Sequence, residues 1–477
     1  MKRKIVGYAI LLLLISITLF PNNVYAATMD DKISSELGTS NISISVRSID
    51  TGNVMYQNNG DVGIKPASTL KLLTAASALE VLGENYRFTT QFYYDGEIKD
   101  NVLQGNIYVK GGGDPTLQEE NFRTFSSVLK RAGITSISGN LYGDDTMFIG
   151  PQLTPGIAKY DESYYYGART SALTMSPDNE YDSGTIFVQV NANAIGKSPI
   201  VQVKPNLSGM VIQNNATSVT ASEKDTLKIY REYNTNQVII TGQIPVGNIS
   251  KEWISLEDPT INTLYAIKNV LKDTGISFSS YSIIDRKTVP SDATLLYTKK
   301  SIPLKKLMIP FLKLSNNSIA NILVKTMGKE EFGVGSLEHG LQAMNDYGRQ
   351  LGLQMNEWSL EDGSGMSHNN KITANQLTSL LYLVRNKPYF SVYYNSLPIG
   401  GKSDRLVGGS LRERFNTPYL MDRVVAKTGY ISGVYTLAGY FKAKSGKQYI
   451  FSIMTQNQTS IKLNSIDEVV KTFIDSY

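Results

Sequence analysis

The spacing of apolar and polar positions changes repeatedly along the chain, and each change marks a different kind of element. Residues 5–20 are an apolar run behind Lys2, Arg3 and Lys4, and Val24-Tyr25-Ala26 places small residues at cleavage spacing. That predicts a signal peptide over residues 1–26, removed after Ala26; an uncleaved N-terminal anchor is the alternative. Residues 29–37 read as a short helix. Residues 41–47 alternate with period two, and Thr51-Gly52 turns them into residues 53–56, a hairpin. Residues 66–82 then read as one helix, with Pro66 in its first turn, an apolar stripe of Leu70, Leu73 and Leu82, and Gly83 to stop it.

From about residue 88 to residue 297 the texture is strand-like. Residues 88–94, 106–110, 139–142, 185–190, 200–204, 226–233 and 237–242 read as strands separated by Asn, Ser, Thr and Gly. Only residues 121–132 and 259–272 read as helices. Helical spacing returns at 303–314, 318–327, 336–351 and 373–384. Strands follow at 424–428, 435–442 and 448–455, and an amphipathic helix at 466–474 closes the chain. The ends therefore read as one α/β (α+β) domain, residues 27–87 with 298–477. A large, mainly β insertion in two parts interrupts it: residues 88–181 with 254–297, and an inner unit over 182–253.

Composition narrows the function. Of 477 residues, 41% are apolar, enough for real cores. The net charge of +5 becomes +2 without the three basic residues of the leader, which argues against nucleic acid as a partner. There is no cysteine, so no disulfide, thiolate metal site, cysteine nucleophile or lipoprotein anchor, and only two histidines, so no histidine-pair zinc motif. No metal or cofactor is expected.

The chemistry lies in three short motifs. Ser68 and Lys71, three apart on a helix start, share one face. A serine hydroxyl is a weak nucleophile until a neighbour takes its proton, and a lysine forced neutral by burial or by a second cation can do so. Ser315-Asn316-Asn317 falls between two predicted helices. Lys427-Thr428-Gly429 ends the strand predicted over 424–428. In this order, on these elements, Ser-x-x-Lys, Ser-x-Asn and Lys-Thr-Gly resemble the motif set of penicillin-binding proteins and serine β-lactamases. Further motifs resemble one family within that group: Gly112-Gly113-Asp114-Pro115-Thr116-Leu117, Gly143-Asp144-Asp145, Asp362-Gly363-Ser364-Gly365-Met366-Ser367 and Leu397-Pro398-Ile399-Gly400-Gly401. With the long gap between Ser68 and Ser315, they resemble the D-Ala-D-Ala carboxypeptidase/endopeptidase family, the low-molecular-mass class C penicillin-binding proteins.

The resemblance implies a penicillin-recognising, serine transpeptidase-like domain carrying its insertion between the first and second motifs. It implies an exported serine DD-peptidase that hydrolyses D-alanyl bonds in peptidoglycan stem peptides through an acyl-enzyme on Ser68 and is acylated by β-lactam antibiotics. Lys71 would be the general base. Ser315 would relay the proton, Asn317 would hold the substrate amide, and Lys427 would help keep Lys71 neutral and attract a carboxylate. Thr428, Gly429 and Tyr430 complete the substrate-binding set. The backbone N–H groups of Ser68 and Tyr430 would form the oxyanion hole. The chain would act outside the cytoplasm, in the wall or at the outer membrane face, where peripheral association is open. A serine β-lactamase and a slow wall-binding or lactam-sensing protein are the alternatives. Nitrocefin turnover would single out the first; absence of D-Ala release would single out the second.

The family usually has Thr or Ser where Tyr430 stands, Arg where His368 stands, Glu where Asn321 stands, and an acid near Phe148, where Ile149-Gly150 follow. The first two changes weaken the grip on a terminal carboxylate. Asn321 otherwise reads as a solvated helix position. The Gly-Gly-Asp-Pro stretch at 112–115 reads as a strand-end turn rather than a phosphate loop, because no Lys-Ser/Thr follows. Tyr164-Tyr165-Tyr166 reads as a half-buried contact, with sugar stacking as the other option. The pairs Lys299-Lys300 and Lys305-Lys306 read as solvated faces. The 466–474 helix reads as packed, with lipid contact the other option, and a Ser-His-Asp triad on His368 is disfavoured.

Overall fold

The computed structural model describes residues 21–477. The charged start and apolar run of the leader lie outside the described residues. A helix, Pro21–Leu37, opens the described chain and extends further toward the N-terminus than the helix expected over 29–37. The hairpin forms as Ile42–Ser48 and Val54–Asn58. Its first strand pairs antiparallel with Gln448–Thr455 from the far end of the sequence. Val434–Lys442 and then Val424–Ile431 complete a five-stranded antiparallel sheet.

Each face of that sheet is covered by a different set of helices. Ile42, Ile44, Val46, Leu437, Phe451 and Ile453 point into one core with Met29, Ile33 and the closing helix Leu463–Ser476. That helix buries Ile466, Val469, Val470, Phe473 and Ile474, so its apolar face is packed rather than free for lipid. The opposite face packs on Lys71–Val81, Leu304–Lys313, Asn317–Phe332 and Ala374–Leu383, around Leu72, Leu323, Leu377 and Met454. Period-two alternation on the strands is what divides the two cores.

Residues 88–297 build a mixed sheet in the order Ile284–Arg286, Leu141–Asp144, Ile107–Gly111, Thr89–Tyr94, Thr294–Lys300. Smaller sheets accompany it, among them Ile200–Lys204, Thr185–Asn191 and Ile249–Ser255 in that order. The helices Glu119–Arg131 and Pro259–Asp273 cover the mixed sheet. Phe92 stacks on Phe125 with ring centroids 4.0 Å apart. The Gly-Gly-Asp-Pro stretch is a turn after Ile107–Gly111, with Asp114 accepting from Thr116 N at 2.8 Å. Lys299 is not solvated: it is buried, and its Nζ donates to Asp114 Oδ2 at 2.6 Å. Among the described residues no helix is long and apolar enough to cross a membrane.

Candidate active site

The expected helix over 66–82 is in fact two pieces. Ala67–Leu70 is a tighter 3-10 turn, and Lys71 opens the α-helix Lys71–Val81. Ala67 is left-handed (φ 47°), which sets Ser68 at the cleft while Lys71 points inward. Thr69 Oγ1 and Thr436 Oγ1 both donate to the Pro66 carbonyl, at 2.7 and 2.8 Å, tying the turn to the sheet.

Lys71 is fully buried. Its Nζ lies 2.8 Å from Ser68 Oγ, 2.6 Å from Asn317 Oδ1 and 2.6 Å from the Ser364 carbonyl. Burial pulls the Lys71 amine down to about 7, and the Asp362 carboxylate opposes that pull. A neutral amine has two N–H bonds and one lone pair. Asn317 Oδ1 and the Ser364 carbonyl can only accept, so they take both N–H bonds. The lone pair is then left for the Ser68 O–H.

The Ser364 carbonyl is presented by a turn that Asp362 holds. Its carboxylate accepts from Ser364 Oγ (2.7 Å), Gly365 N (2.9 Å), Met366 N (3.0 Å) and Asn370 Nδ2 (2.7 Å). Gly365 is left-handed (φ 84°), and a Cβ there would lie 1.9 Å from the Ala67 carbonyl oxygen. A Cβ on Gly429 would meet Thr436 Oγ1 at 2.1 Å and Ser68 N at 2.9 Å. Two glycines thus let backbone close on the Ser68 turn from two sides.

Ser315 lies in the connection between Leu304–Lys313 and Asn317–Phe332, as expected, and is left-handed (φ 62°). Its Oγ accepts from the buried Lys427 Nζ at 2.8 Å, and that amine also donates to the Thr428 carbonyl at 2.7 Å. Burial holds Lys427 well below its ordinary value, and the nearby Lys71 adds to this. Desolvation therefore dominates at both amines, and Lys71 needs no help from Lys427 to be held low.

Lys427-Thr428-Gly429 does not end a strand. It lies inside Val424–Ile431, the edge strand of the five-stranded sheet. Ala426 N donates outward to the Pro398 carbonyl at 3.0 Å. By strand alternation the N–H groups of Thr428 and Tyr430 point the same way, away from Val434–Lys442 and toward the cleft. The Thr428 and Ser410 hydroxyls are 2.7 Å apart.

These elements enclose a cleft of about 470 Å³ lined by Ser68, Ser315, Asn317, Thr428 and Tyr430. Of the expected set, Lys71, Lys427 and Gly429 lie buried behind its wall. The opposite wall comes from residues 160–166, with Tyr160, Asp161, Tyr165 and Tyr166. Tyr165 and Tyr166 are therefore cleft residues rather than only a domain contact, while Tyr164 stacks on Tyr166. Asn317 Nδ2 donates to the Tyr166 carbonyl at 2.8 Å, which leaves one N–H on that amide for a ligand. Asp161 supplies a carboxylate that the sequence near Phe148 lacks, and burial raises it. His368 also lines the cleft; burial and Lys65 lower it, and Asp161 opposes them. Asn321 is buried, not solvated, and its Nδ2 donates to Thr154 Oγ1 at 3.0 Å. Among the described residues no cluster of metal-ligating side chains occurs.

Sheet, helices and cleft together define a serine peptidase of the penicillin-recognising fold. The solved structure of penicillin-binding protein 4 from Haemophilus influenzae superposes with a TM-score of 0.79 over 93% of this chain and 98% of that one, at 21% identity. A complex of that protein with a novel β-lactam superposes at 0.75, over 94% and 99%, at 22% identity. A D-alanyl-D-alanine carboxypeptidase from Actinomadura sp. (strain R39) is 31% identical over 437 residues, 90% of this chain and 80% of that protein. The model of the D-Ala-D-Ala carboxypeptidase 3 (S13) family matches residues 25–475, and the chain belongs to that family.

Proposed function

We propose that this chain is an exported DD-peptidase that cleaves D-alanyl bonds of peptidoglycan stem peptides, as a carboxypeptidase, an endopeptidase or both, through an acyl-enzyme on Ser68. The observation that carries the reading is the Lys71 amine: buried, lowered to about 7, and 2.8 Å from Ser68 Oγ. Ser68 Oγ attacks the D-alanyl carbonyl while Lys71 takes its proton. The N–H groups of Ser68 and Tyr430 receive the developing oxyanion. The proton taken by Lys71 passes to the Ser315 hydroxyl, which Lys427 holds, as Ser315 gives its own proton to the leaving amine, and Asn317 donates its remaining N–H to the peptide. The Thr428 hydroxyl binds a carboxylate at the far end, whose charge favours the protonated form of the buried Lys427 amine, and Asp161 suits a cationic group on the acyl side. Water then enters and hydrolyses the ester.

A β-lactam presents a strained amide to the same hydroxyl, so covalent labelling is expected. A β-lactam complex of the Haemophilus influenzae protein supports this. The test is fluorescent penicillin on the purified mature protein. One label per chain, lost in Ser68→Ala, is expected; no label, or a label that survives Ser68→Ala, sinks the proposal. Mass spectrometry of products from cross-linked and uncross-linked muropeptides separates the two peptidase activities.

A further inference from the structure

Ser315 and Asn317 bracket Asn316, whose side chain is turned away from the cleft and buried. Its Oδ1 accepts from Ile319 N at 2.9 Å, capping Asn317–Phe332. Its Nδ2 donates to Asp182 Oδ1 at 2.8 Å and to the Glu180 carbonyl at 3.1 Å. Two residues on, Ser318 Oγ donates to the Ser183 carbonyl at 2.9 Å. One stretch of the insertion, residues 180–183, thus grips both flanks of the connection that holds Ser315 left-handed. Asp182 is buried, and the stretch is itself fixed from outside by the fork of Arg405 on Glu180.

We propose that Asp182 is a positioning residue for the reaction: through Asn316, its carboxyl holds the connection that presents Ser315 and Asn317 to the cleft. This rests on the function proposed above. The charged and titratable groups facing Asp182 are Asp178 and Glu180 on its own stretch, Arg405 on the 402–411 loop and Tyr165 on the opposite cleft wall. Burial and the two acids raise Asp182 to about 8, with Arg405 opposing them. The latch is therefore a neutral carboxyl at pH 7, accepting from Asn316 as an amide would. Above pH 8 it gains a buried charge beside Asp178 and Glu180, and the connection loosens.

The test follows acylation by fluorescent penicillin at pH 7 and pH 9 in wild type, Asp182→Asn and Asp182→Ala, with thermal melts on each. Asp182→Asn keeps an acceptor and cannot ionise, so it is expected to label within about threefold of wild type at pH 7. Its pH 9 to pH 7 rate ratio should exceed that of wild type about tenfold, as a group titrating near 8 requires once the Lys71 limb common to both is divided out. Asp182→Ala should lose rate at both pH values, including in samples whose melts are intact. The proposal is overturned if the pH 9 to pH 7 ratio is the same in Asp182→Asn and wild type, or if Asp182→Asn is as impaired as Asp182→Ala at pH 7. No labelling of wild type at either pH is a different result: it removes the proposed function.

Discussion

Placing a carboxylate where Asn317 now accepts from Lys71 changes one charge and almost no volume. In its proposed role as base Lys71 works only when neutral, so with the amine at about 7 the acylation rate should climb through pH 7, to a plateau once Asp182→Asn has removed the fall expected above pH 8. At pH 6 about a tenth of the molecules carry the free base, and at pH 5 about a hundredth. Asn317→Asp sets a negative charge at the position now 2.6 Å from Nζ. An opposite charge that close favours the ammonium by about one to three pH units. The rising limb should therefore move to between pH 8 and 10, and acylation at pH 7, where half of the wild-type amine is free base, should fall about 5- to 500-fold. The exchange also removes the N–H donated to the Tyr166 carbonyl. That loss lowers the plateau, whereas the charge moves the midpoint, so the two effects separate in one experiment. The assay is the second-order rate of fluorescent penicillin labelling from pH 5 to 10, compared with and without Asn317→Asp in the Asp182→Asn background, with a melt at each pH. A limb that stays near pH 7 in Asn317→Asp, or a wild-type rate flat from pH 5.5 to 8, would refute Lys71 as the base.

Gly365→Ala and Gly429→Ala should each label about 100-fold more slowly, because a Cβ 1.9 Å from the Ala67 carbonyl oxygen or 2.9 Å from Ser68 N must displace the Ser68 turn, by more in the first case than in the second; labelling within threefold of wild type counts against that backbone packing. Tyr430→Thr should raise release of terminal D-Ala from a pentapeptide about tenfold by adding one hydroxyl for the carboxylate, roughly 1.5 kcal/mol, read by amino-acid analysis; an unchanged rate removes the carboxylate from this end of the cleft. Lys71→Met abolishes activity but changes stability with a definite sign. Lowering a lysine from 10.5 to about 7 by burial costs about 5 kcal/mol below pH 7, a cost that shrinks as pH rises and ends near 10.5, where folded and unfolded amines are both neutral. Wild type should therefore gain about 3 kcal/mol on Lys71→Met between pH 6 and pH 9 in urea unfolding; a constant difference excludes the shift.

The periodicity of the chain carried most of the elements. Spacing of 3.6 located helices such as Leu337–Leu351, and alternation located Val434–Lys442 and Thr185–Asn191. Two local errors have local causes. Proline and small residues at 66–69 fit a 3-10 turn as well as an α-helix, and pattern alone does not separate them. Gly429 looks like a strand stop, yet its missing side chain is what lets the edge strand pass Ser68 N. The larger gaps come from distance along the chain. Ser68, Lys71, Ser315, Asn317 and Lys427 were legible because each sits in a short motif. The Ser364 carbonyl, Asp161, Ser410 and Asp182 were not: each acts through contacts with residues remote in sequence. Lys299 and Asn321 read as solvated because a lone polar side chain says nothing about the carboxylate or hydroxyl that meets it inside.

Residues 88–297, expected as an insertion, build sheets of their own and also reach the cleft. Closing a longer loop costs only a logarithmic increment of entropy, so a catalytic fold can carry such an insertion cheaply. What the insertion returns to the site is specific: the Tyr166 carbonyl for Asn317, the Asp182 carboxyl for Asn316, and the Ser183 carbonyl for Ser318. Without it, buried polar groups on those three side chains would lose their acceptors, at about 1–3 kcal/mol each. Ser315, left-handed without being glycine, would lose the neighbours that hold it there. The first and third motifs are fixed by the sheet and its helices, through Pro66, Thr436 and Gly429. The second motif is fixed largely from the insertion. Changes inside residues 160–183 should therefore register first in Ser315 and Asn317, in proton delivery and peptide holding, and only later in the Ser68–Lys71 pair.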